Sequence, residues 1–300
     1  MSGASEQLGF KNPRVQRLRR LLARRDVRQA EGRFVLEGVK LLEEASLSRT
    51  RLEEVYVAAG WERACSPGLA ARLQGLLERL QRQGAEVSEL APGVLQRVAD
   101  SVAPQPVLAV AEVPVGTFAG LLGSQPKVVV VSASVQDPGN LGTLVRTAWA
   151  AGADALVSCP GTADPWGPKA VRASAGGVFH LPVVAAPSTE EALSALASCG
   201  LVRLAAVAQG GEDYALADLA RPVALVVGNE SAGLPLAGLS GHIDGLVSVP
   251  MPGGAESLNV AAAAAVVLFE AARQRSGRGA LRSVATTGEA VATTGKLVAL

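Results

Sequence analysis

Six short apolar runs, most of them rich in β-branched residues, constrain the second half of this chain more than any other feature. They are Lys127 to Val131, Ala155 to Ser158, Leu181 to Ala185, Leu201 to Val207, Val223 to Val227 and Leu246 to Val249. An unbroken apolar run suits a strand covered on both faces, as in a parallel sheet. Helical patterns lie between several of them. Asn140 to Ala151 is one, and a second runs to Cys199 from Ser188, with Glu191 at the spacing of a capping box. A last helix, rich in alanine, is expected from Leu258 to Arg275. Strands alternating with helices predict an α/β fold, a parallel sheet with helices on both faces.

Upstream the pattern is more mixed. From Pro13 to Arg25 apolar residues (Val15, Leu18, Leu21, Leu22) and arginines alternate at helical spacing. Phe34 to Ala45 is expected to be a second helix after Gly32. Glu53 to Ala58 has strand character, Leu69 to Arg82 is helical, Glu86 to Pro106 is a short mixed stretch and Val107 to Val113 is a further strand. The chain therefore divides into a small α/β domain (1–112), a linker rich in Pro, Gly and Ser (113–126), a larger domain (127–275) and a tail (276–300). The tail repeats ATTG, sustains no apolar period and is expected to be flexible.

Aromatic residues make up only 3% of the chain, so Ala, Val and Leu must do most of the packing. The net charge of +1 says nothing about partners, but its distribution does. Between Lys11 and Arg33, nine basic residues face only Asp26 and Glu31. Such a cluster is the footprint of a polyanion contact, or simply a solvated helix face. The three cysteines are far apart, no CxxC occurs, and the two histidines lack neighbours at metal spacing. Neither a disulfide framework nor a metal site is expected, and a reducing cytoplasm fits. No signal-peptide core opens the chain. The longest apolar run, Val260 to Phe269, is too short to span a bilayer.

Three loops are placed to carry chemistry. The first, in Ser132 to Gly152, is a strand, a Pro-Gly turn and a helix whose start offers free N–H groups. With only Gly139 and Gly142, and no P-loop lysine, it is a poor dinucleotide or triphosphate site. Asn140 there reads equally as an N-cap, and Arg146 as a solvated arginine. The second, Val223 to Pro235, holds Glu230 in a glycine-containing turn. The third follows Val247 and leads through Ser257-Leu258-Asn259 into the last helix, where Ser and Asn are also expected as caps. Each loop has an ordinary structural reading. Three polar, glycine-containing loops after apolar strands in one domain mark the end of a sheet at which ligands bind.

Together the loops resemble the SpoU (TrmH-type) branch of the SPOUT methyltransferases. QDPGNLGTLVRTAWAAGAD is similar to the first motif of that family, LVVGNESAGLP to its second and VPMPGGAESLNVAAAAAVVLFEAARQ to its third, in the same order. RRLLARRDVRQAEGRFVLEGVKLLEEA resembles the amino-terminal substrate-binding domain often attached to the family, with a fold like that of certain RNA-binding ribosomal proteins. The resemblance implies a deep trefoil knot near the carboxyl end of the catalytic domain, a homodimer, and S-adenosylmethionine as cofactor. It implies methyl transfer to a ribose 2′-hydroxyl of structured RNA, ribosomal rather than transfer RNA. Transfer RNA as substrate, or RNA binding without catalysis, remains as an alternative.

By position in the motifs, Gly228, Val249 and Leu258 are expected to hold the cofactor through their backbones, beside Asn229, Met251 and Val260. The polar catalytic set maps to Asn140, Arg146, Glu230, Ser257 and Asn259, with Arg146 stabilising charge on the 2′-oxygen or gripping a neighbouring phosphate. Glu230 is expected to order either Arg146 or a loop backbone. Arg17, Arg20, Arg24 and Arg33 are the expected RNA contacts. Pro252, Gly254 and Glu256 depart from residues that are often small or hydroxylated in the family.

Overall fold

The computed structural model describes residues 7–277 except 49, 100, 102 and 115. The expected tail therefore lies outside the described residues from 278 onward, and Ser276 and Gly277 end the last helix.

The first part of the chain runs α1 (Pro13–Ala23), α2 (Arg25–Glu31), β1 (Arg33–Glu37), α3 (Val39–Leu47), β2 (Leu52–Ala58), α4 (Trp61–Ala64), α5 (Pro67–Arg82), β3 (Glu86–Leu90), α6 (Val94–Val98) and β4 (Val107–Glu112). Its sheet has the order β1-β4-β2-β3, with β4 antiparallel to both neighbours and β2 parallel to β3. Asn12 caps α1 and proline occupies its first turn, which spares an N–H that would have no partner. The apolar stripe read from the sequence, Val15, Leu18, Leu21 and Leu22, is the buried face of α1.

One expectation fails here. Phe34 to Glu37 is not the start of a helix but strand β1. Gly32, in the left-handed region at φ 61°, ends α2, and Gly38 at φ 99° stands before α3. Between them the side chains alternate across the sheet: Phe34 and Leu36 join one apolar cluster, Val35 another. A run buried on both faces has no polar alternation to betray a strand, so it merges by eye with the helix that follows.

The second part runs α7 (Phe118–Gly123), β5 (Val128–Ser132), α8 (Pro138–Ala150), β6 (Ala155–Ser158), α9 (Pro168–Ser174), β7 (Val183–Ala185), α10 (Thr189–Ser198), β8 (Val202–Ala206), β9 (Glu212–Asp213), β10 (Val223–Val227), β11 (Gly245–Ser248) and α11 (Val260–Gly277). Helix α7, capped by Thr117, lies within the stretch expected to be only a connector. Every pairing in the seven-stranded sheet β7-β6-β5-β10-β8-β11-β9 is parallel, as the apolar runs predict. The Ser188 hydroxyl accepts from the Glu191 N–H and opens α10.

The two sheets are packed as one body. The guanidinium of Arg28 on α2 binds Asp164 at 2.6 Å, both side chains nearly buried. Arg172 reaches Glu37 at 3.4 Å, and the rings of Phe34 and Trp166 meet at 5.0 Å between centroids.

Candidate active site

The carboxyl ends of parallel strands are where an α/β sheet presents loops rather than helices to a ligand. At that end, β8, β10 and β11 lead into a cavity of 480 Å³. Ten of the eleven residues expected to form the catalytic and cofactor sites line it: Asn140, Gly228, Asn229, Glu230, Val249, Met251, Ser257, Leu258, Asn259 and Val260. The volume lies within the range of small-molecule sites.

The loop after β10 closes on itself. Asn229 and Gly233 exchange two backbone hydrogen bonds, and the Asn229 carboxamide oxygen accepts from the N–H groups of Ser231 and Ala232. Gly228 must be glycine: a Cβ there would lie 2.6 Å from the Gly233 carbonyl oxygen. The turn holds Glu230 out from the sheet toward the loop after β5.

Glu230 touches loop backbone. It accepts from the backbone N–H groups of Gln136 and Asp137, both at 3.1 Å, and from the Asn140 carboxamide at 2.9 Å. Asn140 in turn accepts from the Asn259 carboxamide at 2.8 Å. One carboxylate and two amides thereby join the three loops. Partial burial pushes the Glu230 carboxyl up, but the bonds from Asn140 and the backbone N–H groups outweigh it and hold it below the usual glutamate value.

The ordinary readings of these residues are partly right. Asp137, not Asn140, caps α8, accepting from the Asn140 N–H at 2.8 Å. Relieved of that task, Asn140 turns its side chain to Glu230. Asn259 does cap α11, accepting from Ala261 and Ala262, while its N–H₂ reaches Asn140. Lys169 bridges to Asp137 at 2.6 Å and, with the Asn140 N–H, lowers that carboxyl below the usual aspartate value. No sequence signal singled out either residue.

Arg146 is not among the lining residues. Six residues beyond Asn140 on one helix, it is displaced by about 9 Å along the axis and rotated by about 120°. It is exposed, and its backbone packs on Gly177. Of the expected RNA contacts, Arg17 is tied to Glu31 and Glu54, and Arg33 to Glu53 through two N–H groups. Arg20 and Arg24 stand exposed, Arg24 beside Asp26.

The site thus sits where polar loops gather at one end of a parallel α/β sheet, and a small mixed sheet precedes that domain in the chain. The model of the SpoU rRNA methylase family matches residues 127–269, and that of an MRM3-like substrate-binding domain matches residues 12–109. The chain is 32% identical over 92% of its length to the 23S rRNA (uridine(2479)-2′-O)-methyltransferase of Streptomyces viridochromogenes, covering 95% of that protein. It is 35% identical over 86% of its length to the 23S rRNA (guanosine(2553)-2′-O)-methyltransferase RlmP of Bacillus subtilis, covering 96% of it. Among solved structures, an AdoMet-bound rRNA methyltransferase from Sinorhizobium meliloti superposes with a TM-score of 0.76 at 30% identity, over 90% of this chain and 98% of that one. This chain belongs to the SpoU rRNA methylase family.

Proposed function

We propose that the protein transfers a methyl group from S-adenosylmethionine to a ribose 2′-hydroxyl of ribosomal RNA. The observation that carries this reading is the hydrogen-bonded set Glu230–Asn140–Asn259 at the rim of the cavity formed by the three loops. The relatives named for 23S rRNA 2′-O-methylation support it over 95% and 96% of their length.

The cavity suits the cofactor. Leu234, Leu236, Val249, Met251 and Val260 give it apolar walls for a purine. The backbone N–H and C=O groups of Gly228, Val249 and Leu258 have no hydrogen-bond partners among the described residues, so polar edges are offered where the motif positions require them. S-adenosylmethionine supplies an electrophilic methyl group. Catalysis is then mainly placement of the 2′-oxygen and management of its proton. Asn140 and Asn259, fixed by Glu230, orient the ribose, and the Ser257 hydroxyl stands beside them. Arg146 stabilises negative charge on the oxygen; a guanidinium keeps its protons at any working pH and acts as donor, not base.

A homodimer accounts for the place of Arg146. Its helix α8 packs on α11, and the pair presents Trp149, Ala262 and Phe269 to solvent, Phe269 being 51% exposed. An apolar face of this kind on adjacent helices suits an isologous contact. Docked there, a second copy would receive Arg146 at its own cavity. The knot expected of the family agrees with a strand order in which β10 lies between β5 and β8 while the chain beyond β11 returns to pack α11 on α8. Arg20 and Arg24 contact RNA phosphates, with Arg17 and Arg33 bracing the sheet behind them.

Arg146→Ala tests the assignment. In a single-turnover assay with labelled S-adenosylmethionine and ribosomal RNA, methyl transfer is expected to fall by about 10²- to 10³-fold, the loss typical of a removed charge-stabilising donor. Cofactor affinity is expected to change by no more than a few-fold, and undiminished transfer would remove Arg146 from the mechanism.

A further inference from the structure

A second cavity, of 560 Å³, lies outside the site above. It is a cleft between the two sheets. One wall is Arg25, Arg28 and Gln29 of α2, and the other is the carboxyl ends of β6 and β7 with the loop through Trp166. Val113, Pro114, Pro160, Val183 and Val184 give it apolar surfaces.

Its polar groups divide into two kinds. Arg28 is spent: its guanidinium donates to Asp164 and to the carbonyls of Leu21 and Leu22. That cluster ties α2 to the loop that holds Asp164, across the cleft. Arg25 is different. It is exposed, gives one N–H to the Thr162 carbonyl at 3.1 Å, and has no carboxylate partner among the described residues. The Gln29 carboxamide and the Trp166 indole N–H likewise have no hydrogen-bond partner there. With Arg28 and Asp164 cancelling, the cleft keeps one net positive charge, an aromatic edge and spare donors and acceptors beside an apolar floor. That combination recognises a planar heterocycle carrying an anion, which is the chemistry of a nucleotide.

The cleft is also next to the methyl-transfer site. Strands β6 and β10 flank β5, so the two cavities open on the same end of the sheet about 10 Å apart at their nearest strands. One residue joins their walls. The Ser134 hydroxyl donates to the carbonyl of Pro160, which lines the cleft, at 3.2 Å; its own carbonyl accepts from Asn229, which lines the cofactor cavity, at 3.3 Å. Ser134 sits at φ 68°, a left-handed conformation that costs energy in a serine and persists only where the surroundings enforce it.

We infer that this cleft between α2 and the ends of β6 and β7 binds an unstacked nucleotide of the substrate RNA that flanks the one that is methylated, with its base on the Trp166 and Val183–Val184 side and its phosphate at Arg25. The inference rests on the proposed RNA methyltransferase activity for the identity of the strand. The cleft would thereby set sequence preference at a flanking position rather than at the reacting ribose.

The test uses the full chain, with S-adenosylhomocysteine filling the first cavity, and the four nucleoside 5′-monophosphates as probes, read by saturation-transfer NMR. At least one is expected to bind with a dissociation constant on the order of 1 mM. Ala185→Trp, which fills the cleft from an exposed position, and Arg25→Glu, which reverses its charge, should each weaken that binding by about tenfold or more. Melting curves check that both variants fold. With ribosomal RNA, Arg25→Glu should raise KM about tenfold while kcat and cofactor affinity stay within about twofold, a split that a purely structural role would not give. Saturable binding absent for all four nucleotides, or equal in wild type and both variants, overturns the inference. Nucleotide binding is read without methyl transfer, so an inactive wild-type protein would count against the proposed activity and not against the cleft.

Discussion

Ionised, Glu230 can accept hydrogen bonds from two backbone N–H groups and from Asn140 at once. Protonated, it would turn one of those oxygens into a donor facing donors. Its pKa in the folded chain lies below the usual glutamate value, so the network is complete above that usual value and is lost as pH falls through the lowered one. Asp137, also lowered, titrates in the same direction. The pH–rate profile of methyl transfer should therefore show no acid limb from Glu230 until below the ordinary carboxylate range. Glu230→Gln keeps one acceptor oxygen and sets an N–H₂ against either the Gln136 N–H or the Asp137 and Asn140 donors at every pH. It should lower kcat by about 10²-fold through misplacement of Asn140, with cofactor affinity little changed. A variant within about twofold of wild type would show that the three loops need no carboxylate to hold them. At this scale motif position, which fixes the residues that end each strand, brought ten of the expected residues to one cavity. It did not reveal that Arg146 points away, since the partner of an exposed side chain is set by packing between helices and not by spacing.

Helix α8 follows the first loop and seats closely on α9. A Cβ at Gly142 would lie 2.2 Å from the Ala170 carbonyl oxygen and 2.7 Å from the Ala173 Cβ, so α9 can approach only because position 142 has no side chain. Gly142→Ala, favourable to an isolated helix, should here cost about 1–3 kcal/mol by forcing the two backbones apart. A thermal melt would register this, and an unchanged or raised Tm would mean that the contact is not tight. The reading of Gly142 as merely one of too few glycines for a dinucleotide loop missed this purpose. The six apolar runs correspond to β5, β6, β7, β8, β10 and β11, and β5, β6 and β10 are buried on both faces, which leaves little choice of residue. Strand β9 escaped, being only Glu212–Asp213 at the sheet edge, where nothing apolar is required. Strand β1 was mistaken for helix for the opposite reason, an apolar run flowing into an amphipathic one.

Across the whole molecule, the two sheets are joined by contacts between residues far apart in sequence, which no local pattern announces. Arg28 and Asp164 are separated by 136 positions, and their side chains are 7% and 12% exposed. Removing one partner of so buried a pair leaves an uncompensated charge. Arg28→Ala should cost about 3–5 kcal/mol and split chemical unfolding into two transitions, one for each sheet. A single transition at the wild-type midpoint would show that the apolar contacts alone couple the halves.

The central claim, that this arrangement methylates ribose in ribosomal RNA, is tested most directly by mapping alkali-resistant linkages in ribosomal RNA incubated with the purified protein and S-adenosylmethionine. The account predicts a protected linkage at one defined nucleotide, present with wild type and lost with Arg146→Ala. Methyl incorporation into a base, or no incorporation by a folded protein that binds the cofactor, would contradict it.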